Sequence, residues 1–235
     1  MTLLRSLLFT LYFFGGSTII AFAYLPLLIL PRIVTVWALR FWGHFTLFGL
    51  WLICGVRVEV RGTPPAGPAL IGAKHQGLLD ICGAFTILPD ACFVMKKELL
   101  RIPLFGWYSQ KCGMIPVDRE GHSAALKKLV TDTQERMRND RQVVIFPEGT
   151  RTAPGAAPQY KPGVAALYRD LGLPCTPCAT NSGAHWPAKG IMRYPGTVVF
   201  EYLEPIPAGL KRGQFMAELE GRIETASRRL LDEGR

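Results

Sequence analysis

His75 and Asp80 have the types and the spacing of a general base. His75 closely follows the short apolar run Ala69 to Ala73, and Asp80 comes five positions later. An imidazole that gives one ring N–H to a carboxylate has a fixed tautomer, and the cation it forms on taking a proton is stabilised. Five residues of continuous helix turn through about 500°, so the two side chains would not share one helix face. They meet if His75 lies in a loop and Asp80 in the first helical turn after it. Taken alone, the spacing is weak, since a lone histidine near an aspartate is usually a surface pair.

A second chemical segment is Phe146-Pro147-Glu148-Gly149-Thr150-Arg151, directly after the β-branched run at Val143 to Ile145. A segment in that place lies at the carboxyl end of a strand, where open α/β sheets bind ligands. Gly149 permits close backbone approach, and the guanidinium of Arg151 is a planar fork of donors that matches a phosphate. A β-turn with a solvated Glu–Arg pair is the plainer reading. Gly113-Met114-Ile115-Pro116-Val117-Asp118-Arg119 is a third such segment, placing Asp118 and Arg119 at another strand end.

Together these residues resemble the glycerolipid acyltransferase family that includes the 1-acylglycerol-3-phosphate acyltransferases. Four blocks of that family occur in order. They are His75 to Asp80, then Gly113 to Arg119, then the complete Phe146 to Arg151, and last a proline-containing strand matched by Leu173-Pro174-Cys175-Thr176-Pro177. Lys96-Lys97-Glu98-Leu99 also resembles a family region. The chain departs from the usual pattern at Lys74, where Asn is frequent, and at Gly77, where Ser is frequent. Those differences bear on acceptor preference more than on activity.

The resemblance implies a reaction and a set of roles. His75, oriented by Asp80, would take the proton of an acceptor hydroxyl that attacks an acyl thioester. Glu148 would orient the catalytic groups or the acceptor. Lys96, Arg119, Gly149, Thr150 and Arg151 would bind substrate, with backbone amides near Gly149 facing the developing oxyanion. The expected acceptor is the sn-2 hydroxyl of lysophosphatidic acid, and the product phosphatidic acid for phospholipid synthesis. The donor is acyl-CoA or acyl carrier protein, as co-substrate. No other cofactor and no metal are expected. The rivals are another lysolipid acceptor such as a lyso-ornithine lipid or lysocardiolipin, a lipid esterase, and a non-catalytic lipid-binding protein. An esterase would need a nucleophile, and no G-x-S-x-G occurs.

The elements that must position these residues fall into two expected parts, 1–55 and 56–235. Of 27 basic residues only Arg5, Arg32 and Arg40 precede Gly55, and no acidic residue does. Ser6 to Pro31 carries no charge, long enough as a helix to cross a bilayer core of about 30 Å. Ile33 to Val56 follows with Trp37, Trp42 and Trp51, a residue that favours membrane interfaces. Pro31-Arg32 is a turn between the two. The pair reads as a membrane-associated helical hairpin. Ala21-Phe22-Ala23 has the form of a signal cleavage site, but the chain stays apolar long beyond it. The expected location is the cell inner membrane, with the catalytic domain facing the cytoplasm.

Past Gly55 the pattern alternates. Val56, Val58 and Val60 have strand period, as do short runs at Ala69 to Ala73, Cys92 to Met95, Met114 to Val117, Val143 to Phe146 and Val198 to Tyr202. Helices are expected over Leu78 to Leu88 and Lys161 to Leu171, and with one apolar face through Leu126, Val130, Thr133 and Met137. A last helix repeats Phe215, Leu219, Ile223, Ala226 and Leu230. The fold class is therefore α/β, a mixed sheet flanked by helices, with the N-terminal hairpin. The net charge of +9 suits an anionic membrane surface or anionic substrates. No charge block or zinc-finger spacing points to nucleic acid. Six scattered cysteines among apolar residues read as buried thiols, and the lone Cys175-x-x-Cys178 pair lacks a metal or redox context.

Overall fold

The computed structural model describes residues 1–118 and 122–234. Helix α1 (Thr2–Tyr24) ends just before Pro26, whose missing N–H cannot continue it, and a 3₁₀ turn over Leu25–Ile29 follows. After Pro31 the chain reverses into α2 (Arg32–Cys54). Strands β1 (Val56–Arg61), β2 (Ala69–Ala73), β3 (Ala91–Lys96), β4 (Ile115–Val117), β5 (Gln142–Ile145), β6 (Cys175–Thr180) and β7 (Gly196–Tyr202) form one seven-stranded sheet in the order β1-β7-β6-β2-β5-β3-β4. The five strands from β6 to β4 are mutually parallel. β7 runs antiparallel to β6 and carries β1 parallel to itself, so the sheet is mixed.

The α-helices that follow β1 are α3 (Leu79–Ile87), α4 (Phe105–Lys111), α5 (His122–Met137), α6 (Gly163–Leu171), the single turn α7 (Ser182–His185) and α8 (Arg212–Glu233). Alternation along the strands sorts them onto two faces. Ile71, Ala73, Phe93 and Val144 pack with α3, while Leu70, Cys92, Val143 and Ile145 pack with α5, α6 and α8. The stripe Phe215, Leu219, Ile223, Ala226 and Leu230 is buried as its spacing predicts.

One apolar cluster crosses the expected division near Gly55. Phe9 and Phe13 of α1 and Val36, Leu50 and Cys54 of α2 share it with Leu79, Phe85 and Trp186. Trp186 meets Phe9 and Phe13 edge-on at 5.2 and 5.3 Å, and the Arg193 guanidinium lies 4.5 Å from the Trp186 ring centre. The Arg193 amide donates to Ser6 Oγ at 2.8 Å. The hairpin thus packs as a continuation of the core. Its other face is apolar and exposed, and both long helices have the length and composition to cross a membrane.

The six cysteine thiols are free and buried. Residues three apart in a strand point to opposite faces, and accordingly Cys175 and Cys178 belong to different core clusters. Burial pushes the Cys175 thiol up to about 12. Neither thiol is placed or activated for redox work.

Candidate active site

The chemical segments converge because five parallel strands end on the same side of the sheet. His75 follows β2, Phe146 to Arg151 follows β5, Lys96 closes β3, Asp118 follows β4, and Ser182 follows β6. Arg119 lies outside the described residues. Sequence positions scattered over a hundred residues become neighbours through topology alone.

His75 sits in the loop between β2 and α3, and Asp80 in the first turn of α3. His75 Nδ1 lies 2.9 Å from Asp80 Oδ2. The same carboxylate oxygen accepts the backbone N–H groups of Gln76 at 2.6 Å and Gly77 at 2.9 Å. Asp80 Oδ1 accepts the hydroxyl of Ser182. Four donors therefore fix a carboxylate that is buried, and it fixes the ring that donates to it. With Nδ1–H directed at Asp80, Nε2 is the ring nitrogen left to accept a proton. Phe146 stacks on the imidazole at 4.0 Å and 16°, and Phe93 stacks behind Phe146.

Gly77 is a departure with a spatial reason. A Cβ there would lie 2.7 Å from the Trp186 carbonyl oxygen, so a serine does not fit this backbone. Gln76 uses its side-chain oxygen to accept the N–H of Gly183, tying the loop to α7. Ser182, Gln76 and Gly183 carried no local motif in the sequence, because their partners are about a hundred residues away.

Glu148 is 2% exposed and points behind the histidine loop. Its Oε1 accepts from Lys74 Nζ at 2.7 Å, and its Oε2 from the His75 backbone N–H at 3.2 Å. The solvated Glu–Arg turn is thereby replaced by a buried carboxylate and an exposed Arg151. Gly149 adopts φ +66, which a side chain would strain. Its own N–H is spent on the Phe146 carbonyl at 2.9 Å, closing the turn. The amide of Gly149 is therefore already paired within its own turn.

A cavity of about 1440 Å³ joins these groups to the hairpin. Its apolar end is lined by Phe13, Ala21, Tyr24 and Trp42, and its polar end by His75 and Arg151. Lys96, Gly149, Thr150, Asp118 and Lys161 also reach it. Asp118 is hydrogen-bonded to Lys97. Lys161 reads in the sequence only as the start of a helix, which begins at Gly163 instead, because it lies ten residues beyond Arg151, outside any motif. The hydroxyl of Tyr108 on α4 donates to the Ala21 carbonyl at 2.6 Å, so α4 joins the hairpin to the cavity wall. A pocket with an apolar tail, a basic mouth and one oriented imidazole suits an amphiphile bearing an anionic head.

Known proteins agree with this architecture. Residues 56–181 match the family described as Acyltransferase. The 1-acyl-sn-glycerol-3-phosphate acyltransferase of Pseudomonas aeruginosa is 35% identical over 188 residues, 78% of this chain and 72% of that protein. The mouse 1-acyl-sn-glycerol-3-phosphate acyltransferase alpha is 32% identical over 65% of this chain, which spans only 55% of that relative. In fold, the chain is similar to the crystal structure of the 1-acyl-sn-glycerophosphate acyltransferase PlsC from Thermotoga maritima, with a TM-score of 0.79, 24% identity and 98% of each chain covered. The matched segment contains His75, Asp80 and Arg151, and the chain belongs to the acyltransferase family that includes the 1-acyl-sn-glycerol-3-phosphate acyltransferases.

Proposed function

We propose that this protein transfers a fatty acyl group from a thioester of coenzyme A or acyl carrier protein to the sn-2 hydroxyl of lysophosphatidic acid. One observation carries the reading: a carboxylate-oriented imidazole stands where a lipid-sized cavity passes from apolar to basic lining. In this mechanism His75 Nε2 takes the acceptor hydroxyl proton as the oxygen attacks the thioester carbonyl carbon. The C–S bond breaks, the ester C–O bond remains, and the departing thiolate takes the proton from the imidazolium. Asp80 keeps the ring in its tautomer and stabilises the cation. Arg151, Lys96 and Lys161 bind the phosphate by charge-assisted hydrogen bonds, with Arg119 as a further donor on the family's pattern. Glu148 serves by holding the His75 loop rather than by touching substrate.

The apolar hairpin face anchors the enzyme in the inner membrane, with the cavity mouth at the cytoplasmic surface where thioesters are available. Two crossings or one re-entrant hairpin both return the chain to its starting side. Purified protein given a labelled acyl thioester and a panel of lysolipids tests the substrate. Lysophosphatidate should be the best acceptor. A preference for a lyso-ornithine lipid would overturn the acceptor, and transfer to none would overturn the enzyme. Protease protection in sealed vesicles tests the sidedness.

A further inference from the structure

Lys74 and His75 are adjacent, yet they leave the end of β2 toward opposite faces of the sheet. The imidazole stacks on Phe146, while the Lys74 side chain runs toward α8. Lys74 is 3% exposed, and its Nζ lies 2.7 Å from Glu148 Oε1 and 2.7 Å from Glu224 Oε1. The hydroxyl of Tyr160 donates to that same Glu224 oxygen at 3.1 Å. One buried ammonium thus bridges two buried carboxylates. Glu148 then reaches the His75 amide with its other oxygen. None of Lys74, Glu148 and Glu224 lines the cavity, whereas His75 does. Glu224 also lies beyond the segment that matches the family, on the C-terminal helix.

We infer that Lys74 and Glu224 are positioning residues for the transfer step, clamping the Glu148 carboxylate against the backbone of His75 so that α8 sets the place of the base. The inference rests on His75 being that base. The charge arithmetic explains why the pair is needed. An unpaired buried carboxylate is costly, and two facing each other without a cation repel. With Lys74 present, each carboxylate meets the ammonium, and Tyr160 supplies a second donor to Glu224. A clamp that acts through the backbone, away from the cavity, should change turnover and leave acceptor binding alone.

The test uses the full-length protein in lipid vesicles, with kcat and KM measured for lysophosphatidate. Lys74→Met should lower kcat by about 10²-fold or more, since it leaves two buried carboxylates without their cation, and KM should stay within about twofold. Adding Glu224→Gln to Lys74→Met should raise kcat again by about tenfold, because it removes one of the two repelling charges. A merely structural role predicts the reverse, a further loss. Glu224→Gln alone keeps the Lys74–Glu148 pair and should fold. It should lower kcat about three- to tenfold at constant KM. Wild-type kcat in Glu224→Gln, or a double variant worse than Lys74→Met, overturns the proposal. If Lys74→Met fails to fold by circular dichroism, Glu224→Gln decides by itself. His75→Ala is measured alongside. If it stays active, the catalytic reading itself is at fault. If it is inactive while Glu224→Gln is unchanged, only the clamp is refuted.

Discussion

The hairpin and the strand-end crevice use burial in opposite senses. Along α1 only Ser6, Phe9 and Phe13 are buried, while Leu11 is 73% and Ile19 71% exposed. The crevice instead buries charge: Lys74, Asp80 and Glu148 are all nearly inaccessible. Each arrangement would be unfavourable in the other's place. An apolar face of that extent is stable where hydrocarbon rather than water covers it. Buried charges persist only where every one has partners, and here each does. The Phe9, Trp186 and Arg193 contact is where the two regimes join.

Breaking the crevice should give the largest effect. His75→Ala should leave a folded protein whose transfer rate falls by about 10²–10⁴-fold, the usual worth of general-base catalysis, read as thioester consumption beside a circular dichroism spectrum. Asp80→Asn should approach that loss, since an amide offers one acceptor oxygen to donors that now use two. A loss of less than fivefold in His75→Ala would remove the histidine from the chemistry.

Breaking the joint should cost stability rather than chemistry. Phe9→Ala empties a fully buried site between the hairpin and Trp186. It should cost about 3–5 kcal/mol in detergent-solubilised protein, measured by denaturant unfolding, with catalysis retained by whatever fraction stays folded. If unfolding of the catalytic part is unchanged, the hairpin is an independent unit and the shared cluster contributes nothing.

The cavity mouth should give a smaller, selective effect. Arg151→Ala removes one charged hydrogen-bonding group, worth about 1.5–3 kcal/mol, or about ten- to a hundredfold in kcat/KM for lysophosphatidate. A phosphate-free acceptor should lose much less, and equal losses on both would assign Arg151 to the donor or to structure. Smallest of all in stability is the outer hairpin face. Leu11→Gln alters an exposed side chain and should change unfolding by no more than about 0.5 kcal/mol. It should nevertheless weaken partition into lipid vesicles in a flotation assay. Unchanged partition would take this face out of the membrane contact.

Much of the fold was legible because its signals are local. The uncharged run after Arg5 reports a long apolar helix, the two-residue period of Val56 to Val60 a strand, and the stripe on α8 a buried helix face, each by repetition alone. Pro26 and Pro31 mark the helix ends for a backbone reason that holds in any context. The short helix α4 was not legible, because seven residues with Phe105 and Trp107 exposed carry no periodic stripe. The His75 to Asp80 spacing could be read only conditionally, since it depends on where the loop ends and α3 begins.

The sequence by itself determined the ordered set of reactive residues, the apolar hairpin and the alternation of strands and helices, because residue type and spacing act over a few neighbours. Tertiary structure alone decided what those residues face. It brought Ser182 to Asp80, turned Glu148 away from the cavity, and set Lys74 and Glu224 together although 150 positions separate them. The physical reason is that a parallel sheet gathers strand ends irrespective of sequence distance, and a buried charge takes its partner from whichever element packs over it.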